Sequence, residues 1–130
     1  MAFIKKNLNP VNNKVADADI RAVAAACNIS WEQAFLGLNE IALSMKSVSY
    51  DVKVVEQFMK ENGFLVGQVK VPKGSKRPTV REFSETNPEL VAVVRISGGY
   101  TACAYGNYVD TWDTGDSAIY KYFYKHIQNI

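Results

Sequence analysis

The apolar residues of this chain change period at residue 63. Before it they recur three and four apart, as along one face of a helix. After it they alternate or gather in short β-branched runs, as in strands. A chain patterned this way is expected to fold as an α+β domain, with helices and sheet in separate layers.

In the first half, residues 7–16 are rich in asparagine, carry Pro10 and read as an extended arm. Asp17 then stands as an N-cap before Ile20, Val23, Ala24 and Cys27. Ala22, Ala25 and Ala26 add helix propensity, and Asn28 ends the run. Its small side chains let this helix lie close to its neighbours, which places it at the centre of the domain. Ser30-Trp31-Glu32-Gln33 is a capping box for a second helix that would bury Phe35, Leu38, Ile41, Ala42 and Met45. A third helix is expected from about Tyr50 to Asn62, with Gly63 at its C′ position.

In the second half, Phe64 to Val71 reads as a strand. Thr79-Val80-Arg81-Glu82 is another capping box, for a short helix ending before Pro88. Leu90 to Ile96 is a buried strand, and residues 100–105 and 108–112 flank a Gly106-Asn107 hairpin turn. Ile119 to Ile127 has the aromatic and β-branched content of a strand, with Tyr120, Tyr122 and Tyr124 alternating as packing residues. The expected organisation is one domain over residues 1–130: an arm (1–16), a helical part (17–62) and a mainly antiparallel sheet (63–130). The 130 residues suit one continuous core, whereas two halves of about 65 residues would each be marginal.

Composition narrows the chemistry. With one histidine (His126) and two cysteines (Cys27, Cys103), neither a Cys/His zinc site nor a cystine framework can be assembled. Asp110, Asp113 and Asp116 are spaced for a loop cation, but no glycine-centred calcium pattern accompanies them. No cofactor is expected. Neither an apolar run of the roughly 18 residues a membrane helix needs nor a signal-type start is visible, so the expected setting is the cytoplasm, with reduced thiols. The net charge of +2 is slight for a nucleic-acid binder. Lys70, Lys73, Lys76, Arg77 and Arg81 nevertheless form a local basic cluster, either a solvated loop or a phosphate-contacting patch.

Four segments in order carry a more specific signal: Asn13-Lys14-Val15-Ala16-Asp17-Ala18-Asp19-Ile20-Arg21-Ala22, Ser30-Trp31, Ser97-Gly98-Gly99, and Tyr108-Val109-Asp110-Thr111-Trp112-Asp113. Together they resemble a family of small papain-like cysteine-peptidase-like proteins, related to bacteriocin-processing peptidases and common in bacteriophage and prophage genomes. The resemblance covers nearly the whole chain. It implies a papain-like fold with N-terminal helices packed on a C-terminal antiparallel sheet.

The family's catalysis rests on a cysteine at the first turn of a buried helix, where the helix dipole and an imidazolium favour the thiolate. Carried over, the cysteine position falls on Ala18 and the histidine position on Gly99. The orienting acid is Asp110, which follows Gly99 by eleven residues, and Asn13 matches the oxyanion-position amide. An alanine cannot attack and a glycine cannot take a proton. The resemblance therefore implies a pseudoenzyme whose cleft, lined by Asp17, Tyr100 and Trp112, binds a protein or peptide without cleaving it. Two alternatives stand beside it. One is an active thiol peptidase or amidase, either carrying Ala18 as an inactivating replacement or using Cys27 or Cys103 with His126. The other is a nucleic-acid-binding module built on the 70–81 cluster.

Overall fold

A computed structural model describes residues 3–127, in the order β1 (Phe3–Lys5), α1 (Ala18–Cys27), α2 (Trp31–Met45), α3 (Val52–Glu61), β2 (Leu65–Gln68), α4 (Val80–Thr86), β3 (Leu90–Ile96), β4 (Gly99–Ala104), β5 (Asn107–Asp110) and β6 (Ile119–His126). The start signals read from the sequence work as expected at two helices. The Ser30 hydroxyl accepts the Gln33 N–H at 3.0 Å while the Gln33 side chain accepts the Ser30 N–H at 2.9 Å. Thr79 and Glu82 close the same reciprocal box at the head of α4. Asp51 caps α3 by accepting the Lys53 N–H at 3.0 Å. Past α3, Gly63 takes a φ of 86°, a left-handed geometry that glycine adopts without strain.

Asp17 departs from this pattern. It precedes α1, yet its side chain caps no backbone N–H; it is engaged elsewhere, as described below. The second helix departs too. Its buried stripe is Ala34, Leu38 and Ala42, one residue every four, while Phe35 and Met45 remain exposed and Ile41 half-buried. A stripe this narrow follows from α2 being covered, among the described residues, chiefly by α1 and α3, which leaves its outer face to solvent.

The six strands form one sheet in the order β1-β5-β4-β3-β6-β2. All neighbours run antiparallel except β1, which lies parallel to β5 with Phe3 opposite Tyr108 and Lys5 opposite Asp110. The sheet is thus mixed, and its first strand comes from the arm, where three residues are too few to show a period. The hairpin between β4 and β5 turns on Tyr105-Gly106, one residue earlier than expected. Ala104 pairs with Asn107, and φ is 55° at Tyr105 and 77° at Gly106. Positive φ at both central positions is what a tight hairpin turn requires.

Alternation along β3 divides the interior in two. Val91 and Val93 face α1, α2 and α3 with Tyr100, Ala102 and Phe123. Leu90, Ala92, Val94 and Ile96 face the other way, against Val80 and Phe83 of α4 and against Cys103, Tyr108 and Ile119. A bulge in β6 adds Ile119 to the second layer. Arg95 pairs with Lys121 but Ile96 with Ile119, so Tyr120 is an extra residue and Ile119 turns to the face opposite Phe123. The architecture is α+β as expected, with α4 as a small third layer behind the sheet.

Candidate functional site

The N-terminus of α1 abuts the start of β4. Ala18 is the first residue of the helix and Gly99 the first of the strand. A β-carbon at position 99 would meet the Ala18 Cβ at 3.7 Å, and no other non-neighbouring atom within 4 Å. A side chain at position 99 would therefore touch Ala18, and the two positions singled out by the family pattern, eighty-one residues apart in sequence, are neighbours in space. They share the wall of a cavity of about 420 Å³ with Ala16, Asp19, Tyr50, Arg95, Ile96, Gly98 and Tyr100. That volume is in the range of small-ligand sites. No thiol, imidazole or hydroxyl nucleophile lies at the contact itself.

Behind this contact a buried ionic network fixes α1 to the sheet. Arg21 Nε donates to Asp17 at 2.7 Å and its Nη1 donates to Asp110 at 2.8 Å. Asp17 also accepts from the Trp31 indole N–H at 2.9 Å and from the Asn9 amide at 3.2 Å. Asp110 accepts from the Thr101 hydroxyl at 2.7 Å and from the Thr111 N–H at 2.7 Å. Thr101 and Thr114 lie 3.1 Å apart. Since the single Thr101 proton goes to Asp110, Thr114 is the donor of that pair.

Burial by itself would raise the Asp17 pKa. The hydrogen bonds from Arg21, Trp31 and Asn9, with the Arg21 charge, outweigh it and hold the carboxyl below its usual range. For Arg21, burial would lower the pKa, and its two carboxylate partners raise it instead.

The candidate residues are thus sorted by position. Tyr100 is buried, lines the cavity, and donates its hydroxyl to the Tyr50 carbonyl at 2.7 Å, tying the loop before α3 to β4. Asp17 is buried in the ionic network and Asp110 ties β5 to α1, so both hold the frame of the cleft. Asn13 lines a separate polar hollow of about 600 Å³ with Lys14, Asp17, Arg21 and Thr111. The buried amide of the arm is Asn9. Trp112 is 56% exposed and does not line the cavity at Ala18 and Gly99.

In the basic cluster, Lys70, Lys73 and Lys76 are exposed. Arg77 lies over the Tyr120 ring at 4.5 Å and donates to the Val69 carbonyl, while Arg81 is paired with Asp116. A shallow groove there mixes Lys76, Arg77 and Arg81 with Glu82, Glu85 and Asp116. The three loop aspartates diverge: Asp110 is buried, Asp113 accepts from the Tyr108 hydroxyl and the Gly115 N–H, and Asp116 pairs with Arg81. Among the described residues no group of three or more acidic, Cys or His side chains can hold a metal ion. Nor is any helix among them long and apolar enough to cross a membrane.

No family model matches the chain, and no curated protein or solved structure is significantly similar to it.

Sequence reasoning did not single out Asn9, Asp19, Thr101, Thr114 or Arg95. Arg21 and Trp31 appeared in its motifs without a role. The spacing of Asp17 and Arg21, one helical turn apart, was the available signal for an ion pair. The cross-chain contact to Asp110 had none.

The cysteines lie away from the cleft. Cys27 packs with its Sγ 3.9 Å from the Met59 Sδ, and burial pushes its thiol up to about 11. Cys103 is sealed behind the sheet, where burial pushes it up to about 12. Among the described residues neither is hydrogen-bonded to His126, whose ring lies against Tyr124. Both thiols of the folded protein are expected to react with Ellman's reagent at pH 7 at least about a hundredfold more slowly than free cysteine, Cys103 the slower of the two, and at the free rate in guanidinium. Fast labelling of either in the native state would show an activated thiol and revive a relocated pair.

Proposed function

We propose that this chain is a catalytically degenerate protein with a papain-like fold, of phage or mobile-element type, that holds a protein or peptide segment in its cleft without cleaving it. The observation that carries the reading is the adjacency of Ala18 and position 99 on the wall of a ligand-sized cavity. Two segments far apart in sequence meet where a thiol at a helix N-terminus and an imidazole on a strand would have to meet. The frame around them, Asp17-Arg21-Asp110, is intact. An inactivating replacement at position 18 alone would account for the alanine and leave the glycine without a reason.

Position 99 is the place to block the cleft. Tyr100 is buried and hydrogen-bonded, so its replacement would damage the wall, whereas a β-carbon at position 99 meets only Ala18, at an ordinary contact distance of 3.7 Å. Titration of ¹⁵N-labelled protein with short capped peptides is expected to shift the amides of residues 16–19 and 95–100 saturably, with every peptide recovered intact. Gly99→Phe should weaken binding about tenfold or more. Shifts confined to residues 70–81, or binding unchanged in Gly99→Phe, would contradict the cleft reading and favour the basic cluster.

A further inference from the structure

The sheet has a second face, turned away from α1, α2 and α3. There α4 packs on β4 and β5, while toward the other edge the surface is made by side chains of β6 and β2. Tyr122, Tyr124 and His126 stand opposite Val94, Ala92 and Leu90 of β3, so all three share this face. They form a row with ring centroids 5.4 and 6.3 Å apart, and Phe83 of α4 continues it 4.9 Å from Tyr122. Tyr122 and Tyr124 pack inward against the cluster of Val80, Ala92 and Ile119, yet all three residues of the row are only half-buried. On β2, Leu65 stands opposite Tyr124 and is 57% exposed. Gly67 stands opposite Tyr122, and a β-carbon there would collide with the ring. The glycine thus lets the Tyr122 ring lie over β2.

The segment after β2 brings charge to this row. A groove of about 300 Å³ beside Phe83 and Tyr122 has Lys70 as its one charged wall residue. Glu82 and Glu85 of α4 line the neighbouring groove instead, with Arg77 and Arg81. Lys70, Lys73 and Lys76 are exposed and, among the described residues, form no ion pair. Half-open rings along one strand, bordered by unpaired ammonium groups, suit a polymer that carries π-faces and negative charge together. Unpaired bases stack on aromatic side chains, and lysines neutralise the phosphates between them. A duplex offers the phosphates but keeps its bases stacked inside.

We propose that this face is a stacking platform for single-stranded nucleic acid, with successive bases set on Tyr122, Tyr124 and His126 and the adjoining phosphates met by Lys70, Lys73 and Lys76. A net charge of +2 is no obstacle, since the contacts need only these local cations. The platform is independent of the cleft and shares no residue with the cavity at Ala18 and position 99. Stacking and ammonium contacts serve ribose and deoxyribose alike, so both sugars belong in the test.

Fluorescence anisotropy compares labelled oligo-dT and oligo-U, each about fifteen nucleotides long, with an abasic deoxy-oligomer of the same length. At least one base-bearing probe is expected to bind about thirtyfold tighter than the abasic one, and the tighter of the two names the sugar. Raising salt from about 50 to 200 mM should weaken that binding about twentyfold, the loss for three phosphate contacts. Replacing Lys70, Lys73 and Lys76 together by glutamine, all exposed changes, should remove most of this salt dependence. Tyr124→Leu keeps an apolar cover and removes the π-face; it should cut the preference for bases about fivefold or more while leaving abasic binding unchanged. His126→Ala, at the end of the row, is the second variant and should lose severalfold by the same readout. Equal binding of base-bearing and abasic probes, no binding of either at the lower salt, or an undiminished preference in both variants would overturn the inference. None of these results bears on the peptide cleft.

Discussion

Replacing Arg21 with methionine is expected to destabilise the fold by about 3–5 kcal/mol, the cost of leaving buried carboxylates without their counter-charge. In a domain of this size that corresponds to a fall in Tm of roughly 10–20 °C. Methionine fills most of the volume, so the loss reports charge rather than a cavity. The Asp17 and Asp110 side chains are each 4% exposed and Arg21 13%, and among the described residues no other cation forms an ion pair with either carboxylate. Because the three act as one unit, adding Asp17→Asn and Asp110→Asn to Arg21→Met should recover more than half of the loss instead of deepening it. A cost below about 1 kcal/mol for Arg21→Met would place the network among surface pairs of little consequence.

The acid response supplies a second readout. The Asp17 carboxyl is held below its usual range in the folded state. It therefore adds stability that is present above the unfolded carboxyl value near 3.9 and is lost as pH falls through the lower folded value. Asp19, raised by burial, works in the opposite sense in both proteins, so the difference between wild type and variant isolates the network. Without Arg21 the buried Asp17 carboxyl becomes harder to ionise. Arg21→Met should then gain stability relative to wild type as pH is lowered from 7 toward 4. Parallel stability curves for the two proteins over that range would show that Arg21 contributes no charge compensation.

The helices and most strands were legible because they are local. The Ser30 and Thr79 boxes, the Gly63 stop and the β-branched run of Leu90 to Ile96 each announce themselves within a few residues. What escaped depends on distant partners. Phe3 to Lys5 become a strand only because β5 offers an open edge, and the narrow stripe of α2 depends on how much of it α1 and α3 cover. The hairpin turn moved to Tyr105-Gly106 because register across β4 and β5 fixes which pair takes positive φ. At the site, motif order drew attention to Ala18, Gly99 and Asp110. It could not show that Asp110 is tied to Arg21, that Asn9 rather than Asn13 is buried, or that Asp19 is buried beside a cavity. Those facts reside in side-chain orientation, which one sequence does not encode locally.

The central claim is that Ala18 and Gly99 occupy the places of a lost thiol-imidazole pair, and rebuilding that pair tests it. Ala18→Cys puts a thiol at the first position of a ten-residue helix, where the dipole favours the thiolate. Gly99→His adds an imidazole from the facing strand, at a position that lines the cavity and whose β-carbon would clash with nothing. The native cysteines are a slow background, their thiols held near 11 and 12. The decisive measurement is the pH profile of alkylation by iodoacetamide for Ala18→Cys alone and for Ala18→Cys with Gly99→His. The account predicts that the double variant inflects below about pH 7 and reacts at pH 6 at least about tenfold faster than the single. Identical profiles for the two, both inflecting near the ordinary thiol value of about 8.5, would contradict it.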